Sequence, residues 1–179
     1  LKKIYVIRHC EAQGQPPEAQ LTDRGLEQAL DLSEFFSNIQ IDRIISSPYK
    51  RAVESIRPLS KRLNIEVEID EKLTDRILST KNLSDWYEKL RTTFDDIEQK
   101  FEGGESSKDA MKRIVQVVED VFSSKNKNTI IVTHGNLMSL LLKHFNNEFG
   151  FDNWKNLSNP DVFLLKSENN NVTFERLWK

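Results

Sequence analysis

Two short runs constrain this chain more than anything else in it. Ile4-Tyr5-Val6-Ile7 and Thr129-Ile130-Ile131-Val132-Thr133 are continuously apolar or β-branched, without the alternation of a sheet that has one wet face. Each therefore reads as a strand buried on both sides. Both end on the same note, since Arg8-His9 follows the first and His134-Gly135-Asn136 the second. A sheet buried on both faces needs helices over both, so the pattern points to an α/β layer architecture with a mainly parallel central sheet.

The sequence between the runs supplies the helices. Thr22 is placed as the N-cap of a helix carrying Leu26, Ala29, Leu30 and Phe36, ahead of a second strand over Asp42–Ser46. Ser47-Pro48 reads as an N-cap followed by proline in the first helical position, with Arg51 in the first turn and a kink or stop near Pro58. Residues 65–69 suit a third strand. Trp86, Leu90, Phe94, Ile97 and Phe101 fall at helical spacing, which predicts a helix from Ser84 to Phe101 ending at Gly103-Gly104. Ser106-x-x-Asp109 resembles a capping box for the next helix, and Leu137–Phe145 is apolar enough for another. Val162–Lys166 and Val172–Leu177, divided by three asparagines, read as a terminal β-hairpin. No repeat, linker or low-complexity segment interrupts the 179 residues, so one domain over 1–179 is expected.

Composition excludes several function classes. The 26 basic and 28 acidic side chains are interspersed, leaving no basic face for a nucleic acid, and no apolar stretch suggests a membrane span or signal core. With one cysteine there is no intramolecular disulfide, and a cytoplasmic setting is expected. The Asn-x-Ser/Thr matches at Asn82, Asn156 and Asn171 carry no weight without secretion.

The chemistry concentrates at the strand ends. Open α/β sheets bind ligands at the carboxyl ends of their strands, which is where two of the three histidines fall. Arg8, His9, Arg51 and His134 could converge there with a helix N-terminus on one anion, and guanidinium forks match phosphate oxygens. One imidazole would be free to attack if a backbone carbonyl held its other nitrogen. No P-loop, dinucleotide fingerprint, Gly-x-Ser-x-Gly elbow or metal-ligand spacing is present, so neither a metal nor a cofactor is expected.

Four segments in order, VIRHCEA, LTDRGLEQA, SSPYKRAVES and IIVTHGN, with GGES before the last, resemble the histidine phosphatase (phosphoglycerate-mutase-like) superfamily. The resemblance implies a three-layer α/β/α sandwich and a metal-independent phosphatase of the acid-phosphatase type. His9 would carry the phosphoryl group, with Arg8, Arg51 and His134 holding the phosphate. It also places Gln15 where an asparagine commonly contacts phosphate, and Glu105 and Ser106 in a substrate-contacting loop. Asp75 stands where many members have the glutamate that acts as general acid, with Glu71 and Glu11 as rivals. Cys10 replaces the usual glycine after the nucleophile and Ala12 a usual Ser or Thr. A mutase and a phosphate-binding regulatory protein are the alternatives. The partner implied is a small phosphorylated substrate, with a phosphoprotein as another form of it, and specificity falls to Trp86, Tyr87 and the Gly103-Gly104 loop.

Overall fold

Residues 1–178 are described by a computed structural model. Successive side chains of the first strand, β1 (Lys2–Arg8), point alternately into two separate cores: Ile4 and Val6 into one, Tyr5 and Ile7 into the other. The same division runs through β2 (Arg43–Ser46) and β4 (Asn128–Thr133), where Ile45 and Ile131 face the first core and Ile44, Ile130 and Val132 the second. That is why these runs are apolar without alternation. Helices α1 (Asp23–Phe35) and α2 (Lys50–Leu63) cover the second core; α4 (Ser107–Ser123) and α5 (Gly135–Phe145) cover the first. The result is a three-layer α/β/α sandwich.

The sheet has six strands in the order β3-β2-β4-β1-β5-β6, completed by β3 (Val67–Ile69), β5 (Asp161–Glu168) and β6 (Asn171–Arg176). Pairings among β3, β2, β4 and β1 are parallel, while β1–β5 and β5–β6 are antiparallel. The β5–β6 turn places Asn169 and Asn170 at φ 52° and 62°, the two positive angles of a tight type I′ hairpin, which asparagine tolerates better than most residues. A short turn (Glu71–Leu73), α3 (Trp86–Asp95) and α6 (Phe151–Lys155) complete the chain. No helix among the described residues is long and apolar enough to cross a membrane.

Several local expectations shift. Tyr49, not Ser47, occupies the N-cap of α2, and the Ser47 hydroxyl is engaged elsewhere. α2 runs through Pro58 to Leu63, held by Leu59 buried on the sheet, and stops at Asn64 in the left-handed conformation. Ile65 then donates to the Ser60 carbonyl, which delays the strand to Val67. α3 ends at Asp95 instead of reaching Phe101. Its C-terminus meets Asp95 and Asp96, which oppose the helix dipole, and the Asp96 carboxylate accepts from the Glu98 amide in a local turn that competes with the helix. At α4, Ser106 caps the Asp109 amide at 3.0 Å, but the Asp109 carboxylate lies 3.6 Å from Lys100 Nζ, so only half of a capping box forms.

Ile131 lies on β4, fully buried between β1 and β2. Ile131→Ala is expected to cost about 2–5 kcal/mol, as large-to-small core changes do, read as a lower urea midpoint with an unchanged slope.

Candidate active site

Parallel pairing of β1 with β4 sets Arg8 opposite Thr133, so the residues that follow them, His9 and His134, leave the sheet side by side with ring centroids 5.2 Å apart. β2 pairs with the other edge of β4, and the helix it feeds delivers Arg51 to the same point. Arg51 Nε donates to His9 Nε2 at 3.3 Å, and its Nη1 donates to the carbonyls of Gln15 and Pro16 at 3.0 and 2.9 Å. Four groups from three distant parts of the sequence therefore meet at the carboxyl ends of adjacent strands. Arg8, His9 and His134 border a cleft of about 630 Å³ whose lining also includes Gln15, Asp75 and Asn136, with Arg51 behind it against His9.

The His9 ring is fixed by its own backbone neighbourhood. Nδ1 lies 2.7 Å from the Cys10 carbonyl, which can only accept, so Nδ1 carries the proton and Nε2 presents a lone pair. Burial, reinforced by the charges of Arg51 and Arg8 and opposed by the Cys10 hydrogen bond, lowers the His9 pKa from 6.5 to about 3. The ring is neutral at physiological pH. His134 is pushed well down as well, by burial and then by His9 and the arginines. Its Nε2 is 2.9 Å from the buried Ser47 hydroxyl, which also accepts from the Tyr49 amide. When that hydroxyl donates to Nε2, the His134 proton sits on Nδ1, a buried atom with no hydrogen-bond partner among the described residues.

Among the described residues, Arg8 Nε, Arg51 Nη2 and Asn136 Oδ1 are likewise buried without a hydrogen-bond partner, Arg51 Nη2 keeping only a longer ion-pair contact with Asp75. Three donors and one acceptor left unpaired in one place are costly unless an oxygen-rich anion satisfies them, and at least the donors suit phosphate. Gly135 makes room for this arrangement, since a Cβ there would lie 2.8 Å from Arg8 Nε.

Asp75 stands at the cleft with 27 % of its side chain open, Oδ2 3.6 Å from Arg51 Nη2 and Oδ1 accepting from the Arg76 amide at 2.9 Å. Burial raises its pKa, against the downward pull of Arg51, the Arg76 amide, Arg8 and Arg113. Glu71 is exposed on its turn, outside the cleft lining. Glu11 does line the cleft, with its carboxylate accepting from the Thr22 hydroxyl at 3.0 Å.

The structure brings Glu105 and Ser106 close to the site without placing them in it. Both Glu105 oxygens engage Arg113, at 3.0 and 3.1 Å, and Arg113 in turn donates to the carbonyls of Lys72, Thr74 and Asp75. Glu105 thereby braces the loop that carries Asp75, and Ser106 caps α4. Gly104 allows the close approach, for its Cβ would fall 2.0 Å from the Leu78 carbonyl. Cys10 is fully buried in the apolar core and its thiol is pushed up to about 12 by burial, far from a reactive thiolate.

Three residues not singled out from the sequence also matter here. Ser47 orients His134, Asn136 lines the cleft, and Asn159 Nδ2 donates to the His9 carbonyl at 3.0 Å. Ser47 was visible only as a cap, and Asn159 lies 150 positions from its partner with no local signal.

The unfolded chain protonates His9 near 6.5 and the folded chain only near 3, so between these values the unfolded state binds more protons. Stability is expected to fall as pH drops from 6.5 toward 3, and His9→Asn should flatten that fall, as read from urea midpoints across the range. Long-range ¹⁵N spectra of His9 should show the Nδ1–H tautomer unchanged from pH 8 to 5.

Comparison with known proteins gives the family and the fold. The profile of the histidine phosphatase superfamily (branch 1) matches residues 4–178. Among curated proteins, the chain is 25% identical over 157 residues to a putative phosphoserine phosphatase 2 of Hydrogenobacter thermophilus, covering 79% of this chain and 77% of that one. It is 26% identical over 148 residues to phosphoserine phosphatase 1 of the same organism, covering 74% and 70%. Among solved structures, a mutant phosphoserine phosphatase from Entamoeba histolytica in complex with phosphoserine superposes with TM-score 0.81 at 20% identity, over 98% of this chain and 96% of that one. A mycobacterial glucosyl-3-phosphoglycerate phosphatase with inorganic phosphate gives 0.80 at 20% identity, over 99% and 96%. The chain belongs to the histidine phosphatase superfamily, branch 1, and is a phosphatase acting on phosphomonoesters.

Proposed function

We propose that this phosphatase acts on a small phosphomonoester through a phosphohistidine formed on His9 Nε2, with Asp75 as the proton donor. The observation that carries the reading is the His9 ring itself: neutral, with Nδ1–H on the Cys10 carbonyl and Nε2 turned toward Arg51. The phosphate oxygens take the unpaired donors of Arg8, Arg51 and His134, and the substrate draws the Arg51 guanidinium from the His9 lone pair. Gln15 borders the same cleft and offers an amide to the phosphate or its leaving group.

Nε2 then attacks phosphorus, the bond to the leaving oxygen breaks, and Asp75 delivers its proton to that oxygen. In the second step the ionised Asp75 takes a proton from water, the water oxygen bonds to phosphorus, and the N–P bond opens to release phosphate. Burial keeps Asp75 protonated to a higher pH than a free carboxyl, and a phosphate dianion that neutralises Arg51 and Arg8 raises its pKa further. The names of the similar proteins, phosphoserine and glucosyl-3-phosphoglycerate phosphatases, support a small-molecule substrate. A reducing, cytoplasmic setting suits the free thiol of Cys10.

His9→Ala is expected to abolish phosphate release from any alkyl phosphate, measured as inorganic phosphate. Asp75→Asn should lower kcat on alkyl phosphates by about 10²–10⁴-fold while affecting formation of the phosphoenzyme from 4-nitrophenyl phosphate far less, because nitrophenolate leaves without a proton. Equal loss on both esters would remove Asp75 from the acid role. Recovery of an isomeric phosphate ester in place of free phosphate would indicate a mutase.

A further inference from the structure

The phosphate end of the cleft is polar, but the wall beyond Asp75 is not. Leu78, Trp86, Leu90 and Trp154 line it, and an adjoining cavity of about 360 Å³ shares Asp75, Leu78 and Trp86 with the main cleft. The wall is built, not incidental. Trp86 opens α3 and Trp154 lies on α6, and Tyr87 joins them with ring centroids 5.6 Å from Trp86 and 6.4 Å from Trp154. Phe151 stacks 5.2 Å from Tyr87 and 5.4 Å from Trp154. Yet Trp86 keeps 50% of its surface exposed, an apolar area left uncovered by the described residues.

The charges around this wall argue in the same direction. Beyond the phosphate clamp, the cations lining the two cavities are Arg76 and Lys81. The terminal nitrogens of Arg76 donate to Thr93 Oγ1, Ser107 Oγ and the Glu105 carbonyl, on the buried side of the loop. Lys81 pairs with Glu102 at 2.8 Å. A carboxylate on the leaving group would therefore meet Asp75 and Glu11, with the solvent-exposed Lys81 of the adjoining cavity as the cation left to offset them.

We infer that the leaving alcohol carries an apolar or aromatic body that packs on Trp86 and Trp154, so that phosphoserine, whose leaving group has no such body, is the poorer substrate for this chain. The inference rests on the phosphatase reading above and deepens it. The occupant is fixed by continuity, since Asp75, which protonates the leaving oxygen, borders both the cleft and the adjoining cavity. Burying a phenyl-sized apolar group against such a wall should favour it by about ten- to a hundredfold in kcat/KM.

Propyl phosphate, 3-phenylpropyl phosphate and O-phosphoserine all release primary alcohols, so phosphate release from the intact chain compares the body of the leaving group and not its reactivity. The expected order places 3-phenylpropyl phosphate above propyl phosphate by about ten- to a hundredfold, with phosphoserine well below the phenylpropyl ester. Trp86→Ala should remove most of that ratio and Trp86→Phe should keep part of it. The inference is overturned if release depends on His9 but propyl phosphate or phosphoserine is turned over as well as the phenylpropyl ester. It is equally overturned if the ratio survives in both Trp86→Ala and Trp154→Ala. No His9-dependent release from any of the three esters would instead bring down the phosphatase reading, and this inference with it.

Discussion

The hydrogen bond from His9 Nδ1 to the Cys10 carbonyl is the contact on which the rest depends, because it decides which ring nitrogen is free. The protein holds that carbonyl in place from both sides. The Cys10 amide donates to the Ser55 hydroxyl at 2.8 Å, and Ser55 donates to the Arg51 carbonyl at 2.6 Å, so the backbone beside His9 and the arginine that contacts its ring share one anchor on α2. From the other side Asn159 fixes the His9 carbonyl, and the same loop receives Arg8 Nη1 at the carbonyls of Leu157 and Ser158. An imidazole fixed in this way needs no further reorganisation before it attacks.

Sheet order explains why these groups meet at all. With β4 between β2 and β1, three strand ends deliver Arg8-His9, His134 and the start of α2 to one rim, although they arise from three distant parts of the chain. The assembly gathers buried cationic and neutral donors with little anionic compensation; Asp75 is the carboxylate within reach of Arg51. Such a site is electrostatically expensive when free and complementary to a phosphate dianion when filled. The same burial that keeps both imidazoles neutral raises Asp75, so one physical cause suits His9 and Asp75 to the roles proposed for them.

Much of this was legible in the sequence because the informative residues lie beside strong periodic signals. The unalternating runs before His9 and His134 indicated a sheet buried on both faces, and strand ends are where such sheets bind ligands. Arg51 followed from its place in the first turn of a helix. Readings that rested on local pattern alone travelled less well. Ser47-Pro48 looked like a cap, yet the hydroxyl serves His134 across 87 positions. The stripe running to Phe101 looked like one long helix, but the two aspartates at 95 and 96 end it early, and the released segment packs against the loop that carries Asp75 instead. Glu105 carried the right motif in the right place, and its partner, Arg113, is one helical stretch further on, where only the fold shows that the pair is a brace. Cys10, standing where the resemblance expects a glycine, is buried in the apolar core and acts as a packing residue.

The central claim concerns one atom, and the isomer of phosphohistidine tests it. The enzyme is loaded with a ³²P-labelled phosphomonoester, quenched in alkali and digested to free amino acids under conditions that preserve the N–P bond. The expected product is Nε2-phosphohistidine derived from His9. Recovery of Nδ1-phosphohistidine, or of label on any residue other than His9, would contradict the account.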